Sequence, residues 1–212
     1  MRNALLLLCL LVAVTPAARA APASVFIEDL TVTELRDLIA AGKTTVIIPI
    51  GGTEQNGPHM AIGKHNVRVK LLAGKIAAAL GNALVAPVMP YVPEGRLDPP
   101  TGHMRFPGTI TVPEAAFDTV IEYTARSFKQ HGFATLLEGQ GYPASEVGTH
   151  AGLADTSLMM ALDPSLVRAD RLKPGEGDNG DPSRASAALG MVGVELIVTK
   201  TVEAIKTAVA RR

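Results

Sequence analysis

Glu54, His59 and His65 fall within 12 residues of one another, in the run VIIPIGGTEQNGPHMAIGKHN that spans 46–66. There a hydrophobic segment empties into a polar loop punctuated by glycine. A strand that delivers a carboxylate and imidazoles to one loop is how α/β enzymes place a catalytic or metal site. Nitrogen and oxygen donors of these types suit a divalent ion. The same residues also fit a polar surface loop in which each histidine bonds only to backbone, and spacing alone leaves both readings open. All five histidines lie between positions 59 and 150. Three further segments carry candidate chemistry: TGHMRFPGT at 101–109, THAGLADTS at 149–157 and GDPS at 180–183. His150 precedes an expected helix N-terminus, where Asp155 is either a catalytic group or a structural cap. Asp181, ahead of Pro182, reads as a cap.

The elements that must position these groups follow from periodicity and punctuation. A Thr31-x-x-Glu34 box predicts a helix over 31–41 that Gly42 ends. The β-branched run over 44–50 predicts a strand buried on both faces. Helices are expected over 66–80 and 113–131, stopped by Gly81 and Gly132, with short strands at 83–88 and 134–137. The stretch 90–106, rich in Pro and Gly, reads as irregular. A short helix at 157–162, a loop at 174–182 and a long helix over 185–212 complete the chain. Strands alternating with helices predict a three-layer α/β/α fold with a mostly parallel sheet.

Composition narrows the class. Residues 1–20 carry Arg2, an apolar core, a Thr15-Pro16 break and Ala18-Arg19-Ala20, which is the pattern of a cleaved signal peptide. The apolar core is too short for a permanent anchor. The expectation is therefore an exported protein, periplasmic or secreted, with one domain over 21–212 and no integral membrane segment. The single cysteine, Cys9, would leave with the leader, so the mature chain has no disulfide and no thiolate ligand. The whole sequence balances 20 basic against 20 acidic residues, which argues against nucleic acid or an anionic membrane as partner. With no Trp and 4% aromatic residues, the core must rest on Ala, Val, Leu and Ile.

Together the four segments resemble, in order, those of the creatininase (creatinine amidohydrolase) family. EQNGPH at 54–59, followed by His65, is similar to the family's Glu-Gln-His-Gly-Pro-His…Asp segment. FPGTIT at 106–111 resembles its FPGTI strand, and HAGLADTS at 150–157 its His-(Ala/Gly)-Gly-x-x-Glu-Thr-Ser segment. Gly180-Asp181-Pro182 resembles a further family turn. The resemblance implies a metal-dependent hydrolase that opens a cyclic amide or a related C–N bond in a small molecule, commonly with two Zn or Mn ions that activate a water. It implies Glu54 as a ligand, His65 at the position of a bridging Asp, and Asn56 at the position of a ligand His. His150 takes the position of the acid/base histidine, and Asp155 that of a Glu. It also implies a possible homo-oligomer.

The departures matter as much. Asn56 is a poor transition-metal ligand beside imidazole, and an imidazole at 65 does not readily bridge two ions. The pair reads as a site rebuilt for one ion, or for none. Between Leu137 and His150 the family has a Gly-rich segment with a further ligand His, then a helix and a strand. A crossover of that kind needs roughly 30 residues or more, and the space here is far shorter. An internal deletion of one helix–strand unit is the simplest account, with Gln140 only superficially echoing the lost His. Among the other histidines, His131 fits a helix C-terminus, His59 a loop support, and His103 a position that lines the pocket. The competing function is a non-catalytic or weakly metal-binding member that keeps the fold without the site.

Overall fold

The computed structural model describes residues 24–133, 135–138, 150–176 and 180–210. The expected leader at 1–20 and most of the expected deletion stretch lie outside these residues. The elements are α1 (Val32–Ala40), β1 (Thr45–Ile48), α2 (Lys64–Leu80), β2 (Ala83–Val85), α3 (Glu114–Gln130), β3 (Thr135–Glu138), α4 (Leu153–Leu162) and α5 (Ala187–Ala210), with short 3-10 turns between them. No helix among the described residues is long and apolar enough to cross a membrane.

Among the described residues three strands pair in parallel in the order β2-β1-β3, with Val46 opposite Leu84 on one side and Leu136 on the other. β1 is the central strand, and all four of its residues are buried. Its side chains alternate between two cores, as strand geometry demands. Ile47 joins Val85, Ala77 and Ile76 under α2 and α5, and Val46 and Ile48 join Leu84 and Phe133 under α1 and α3. Helices thus cover both faces, and the expected α/β class with a parallel sheet is what the chain forms.

Local signals set the ends. Thr31 accepts the Glu34 amide at 3.3 Å while the Glu34 carboxylate accepts the Thr31 amide at 2.8 Å, the expected capping box. Gly81 closes α2 at φ 81°. Two helices start earlier than periodicity predicts. α2 takes in Lys64 and His65, and α4 begins at Leu153 rather than at 157. In α4 the polar run Asp155-Thr156-Ser157 looks like a loop in sequence, but all three side chains are buried and bonded to other elements. α4 and α5 cross closely because Gly190 carries no side chain. A Cβ there would lie 1.8 Å from the Ser157 carbonyl oxygen.

Candidate functional site

β1 gives way at its C-terminal end to the loop that holds Glu54, the position where parallel sheets carry their sites. Asn66, in the first turn of α2, accepts the Gly52 amide with Oδ1 at 3.0 Å and donates to Thr53 Oγ1 at 3.2 Å, which fixes the start of the loop. Glu54 is 6% exposed, and three imidazoles surround it. His65 Nε2 lies 2.7 Å from Glu54 Oε1, His103 Nε2 3.2 Å from Oε2, and His150 Nδ1 3.6 Å from Oε1. They come from the start of α2, the 3-10 turn Gly102–Arg105, and the residue three before α4. The His103 and His150 rings are 4.6 Å apart at their centroids.

Each ring's second nitrogen decides what the first can do. His150 Nε2 faces the Gln55 carbonyl at 2.9 Å and must donate to it, so Nδ1 points its lone pair at the carboxylate. A cation between Nδ1 and Glu54 satisfies both groups. His65 Nδ1 accepts from Arg68 at 2.8 Å, and a guanidinium can only donate, so the His65 proton sits on Nε2. His65 therefore presents a donor face to Glu54, at short range but off the axis of a hydrogen bond.

Among the described residues, Glu54, His103 and His150 offer ligand atoms that all lie within 4.8 Å of one another. One carboxylate and two imidazoles suit one N/O-liganded ion, and the ready lone pair of His150 shows that the residues fit one.

Charge is distributed unevenly around this group. Burial alone would raise the Glu54 carboxyl, but the facing His65 N–H, the Glu94 proton and the neighbouring imidazoles outweigh it and hold Glu54 ionised. Glu94 takes the opposite shift: burial and the adjacent Glu54 carboxylate push it up to about 8, so it carries the proton of the pair. Its Oε1 sits 2.7 Å from where a Cβ on Gly52 would lie, so a side chain at 52 would displace it. Burial lowers His65 to about 4 and also lowers His150, which keeps both rings neutral.

Beneath the group lies a buried ion cluster. Lys64, with no exposed surface, donates to Asp155 Oδ2 at 2.5 Å, and Arg68 pairs with Oδ1. Oδ2 also accepts the Ala151 amide at 3.2 Å, which holds Ala151 at φ 57° directly after His150. The charges of Arg68 and Lys64 overcome burial and hold the Asp155 carboxyl far below its usual range. Burial lowers Lys64 to about 8 against the pull of Asp155.

Of the residues expected from sequence, the structure brings Glu54, His65 and His150 together. It places Asp155 in the ion cluster, with both oxygens engaged. The Asn56 amide donates to the Glu54 carbonyl at 2.8 Å, a buttress for the loop, and its Oδ1 is buried without a hydrogen bond. His59 Nε2 bonds Thr156 Oγ1 at 3.0 Å, the loop support expected of it. Asp181 accepts the Ser183 amide at 2.9 Å, a turn cap well before α5 begins. His103 enters the group itself, more than the pocket-lining part expected of it. Glu94, Lys64 and Arg68 are additions that no sequence spacing marked, although the basic residues flanking His65 were a usable signal.

A family model for creatininase, described as creatinine amidohydrolase, matches residues 28–141. A mycofactocin precursor peptide peptidase of Mycolicibacterium smegmatis is 25% identical over 197 residues, covering 68% of this chain and 77% of the relative. A creatinine amidohydrolase of Pseudomonas putida is 26% identical over 199 residues, covering 70% of this chain and 76% of the relative. Both alignments are longer than the share of this chain they use, so each relative has positions with no counterpart here. A crystal structure of creatinine amidohydrolase (creatininase) superposes with a TM-score of 0.68 at 23% identity, covering 87% of this chain and 98% of that one, a likeness of fold.

Proposed function

The chain belongs to the creatininase family, and we propose that it is a hydrolase with a single divalent ion, acting on a C–N bond, such as a cyclic amide, in a small molecule. The observation that carries this reading is the convergence of Glu54, His103 and His150 at the C-terminal end of a parallel sheet. Those three residues would hold the ion, which when bound supplies a Lewis acid and an acidified water at neutral pH. Zn and Mn are the candidates, since one solved creatininase is of a Zn-Zn type and another is an Mn form.

The chain's own residues divide the remaining work. Glu54 stays anionic through the surrounding donors, and His65, locked by Arg68, orients its Oε1. His150 keeps a lone pair on Nδ1 because the Gln55 carbonyl holds its other proton. Glu94 keeps a proton beside Glu54 up to about pH 8 and is the group placed to give it to a departing amine. Asp155 positions His150 through the Ala151 amide. The leader pattern at 1–20 supports action outside the cytoplasm.

One observation favours a second reading, a non-catalytic or weakly metal-binding member. Asn56 bonds the backbone, and Arg68, which can only donate, fixes the His65 proton on Nε2, which argues against both as ligands at positions that hold them in the family. A screen of cyclic amides, ureides and short peptides with Zn or Mn separates the two. Turnover lost in Glu54→Ala supports the hydrolase. Metal uptake without turnover on any C–N substrate supports the second reading.

A further inference from the structure

One residue touches both ligand imidazoles, and does so in opposite senses. The Gln55 carbonyl accepts from His150 Nε2 at 2.9 Å, whereas the Gln55 side-chain amine faces His103 Nδ1 at 3.1 Å. The orientation of that amide is set by Gly57, whose N–H donates to Gln55 Oε1 at 3.0 Å. With the oxygen held there, the amine donates to His103 Nδ1, and a neutral His103 must carry its proton on Nε2, the atom that faces Glu54 Oε2 at 3.2 Å. A protonated Nε2 cannot ligate. His150 is thus prepared for a metal and His103 is not.

We infer that Gln55 is the tautomer switch of this site: when metal binds its side-chain amide turns over, so that Oε1 leaves the Gly57 N–H and accepts from the proton that has moved to His103 Nδ1. The inference rests on the reading that Glu54, His103 and His150 hold one ion. The turn sets the Gln55 amide N–H groups toward the Gly57 N–H, so the free energy of ion binding has to drive it. The backbone of Gln55 is pinned at both ends, its N–H to Thr109 Oγ1 at 3.3 Å and its carbonyl to His150. The terminal amide is the part that has to rotate, and Gln55 lines a cleft with Gly57, Phe106 and Pro107. After the turn Oε1 accepts from His103 Nδ1, freeing Nε2 to ligate, and the bond from Gly57 is given up. Metal ligands routinely donate their second N–H to such an acceptor, and changing that acceptor shifts affinity by roughly 10–100-fold. Gln55 is a positioning residue in this scheme; it touches the ion only through the rings it orients.

Gln55→Glu separates the switch from the site, because a carboxylate can accept from Gly57 with one oxygen and from His103 with the other without turning. The test is 15N NMR of the histidine rings and of the Gly57 amide, with Zn titrated into wild type and Gln55→Glu at pH 8. In wild type, Zn should move the His103 proton from Nε2 to Nδ1 and shift the Gly57 amide resonance as its hydrogen bond is lost. In Gln55→Glu the Nδ1 proton should be present before metal is added, the Gly57 amide should stay put, and Zn should bind roughly tenfold more tightly. One Zn bound by both proteins with equal affinity and an unmoved Gly57 amide overturns the switch and leaves the metal site standing. No Zn bound by either protein overturns the metal reading, and the switch with it.

Discussion

Asp155→Asn removes one negative charge from between two buried cations and changes almost no volume. At the 2.5 Å separation of Lys64 Nζ and Asp155 Oδ2, a unit-charge pair is worth roughly 7 kcal/mol gross at an effective dielectric near 20. Part of this is returned, because the carboxylate no longer has to be desolvated. Lys64 and Arg68 are then left facing each other without a counter-charge, and breaking a buried pair in this way costs about 3–5 kcal/mol net. Against a total stability of about 5–15 kcal/mol for a domain, that is a large fraction. Urea unfolding followed by circular dichroism should show a lowered midpoint at unchanged slope. The strain belongs to the stranded cations, so Lys64→Met in the Asp155→Asn background should recover at least about 1 kcal/mol. A loss below about 1 kcal/mol for Asp155→Asn, or strict additivity of the two changes, would refute the reasoning.

The remaining predictions concern pH, packing and capping. Asp155 titrates well below an unfolded aspartate, so its stabilisation is present above about pH 4 and drains away as pH falls further; acid titration of Tm should be flatter in Asp155→Asn. Glu94 runs the other way. Its folded pKa of about 8 lies above the unfolded value, so its contribution to the metal-free protein's stability falls as pH rises from 5 to 8, and the Tm of wild type minus that of Glu94→Gln should decline across that window. Gly190→Ala pushes a methyl group into the Ser157 carbonyl and should cost about 1–3 kcal/mol by denaturant titration. Thr31→Ala removes the α1 capping box and should cost about 1 kcal/mol in the same assay.

Sequence and structure agree where one local rule decides the outcome. The run of β-branched residues in β1, the Thr31 box and the Gly81 stop each specify their element without help from elsewhere. The site divides differently. Glu54, His65 and His150 stand out because their segments resemble, in order, the motifs of a metal-dependent hydrolase family. His103 reaches the group only because the irregular 90–106 stretch folds back on itself, with the His103 amide bonded to the Glu94 carbonyl at 3.2 Å. That closure also carries the Glu94 carboxyl to Glu54, and no periodicity encodes it. Asp155 finds Lys64 and Arg68 across 91 and 87 positions of sequence. From sequence the same aspartate reads as a helix cap or a catalytic acid. The early start of α4 has the same cause, since buried partners turn an apparent polar loop into helix.

Metal stoichiometry and affinity, measured by equilibrium dialysis of the metal-stripped protein against Zn and Mn, test the central claim most directly. The account predicts one tightly held ion per chain. Uptake should be abolished in Glu54→Ala and His150→Ala and weakened in His103→Ala. In His65→Gln it should be largely kept, because His65 orients the carboxylate and does not ligate. Two ions per chain, or a His65→Gln protein that loses its ion as fully as Glu54→Ala does, would contradict it.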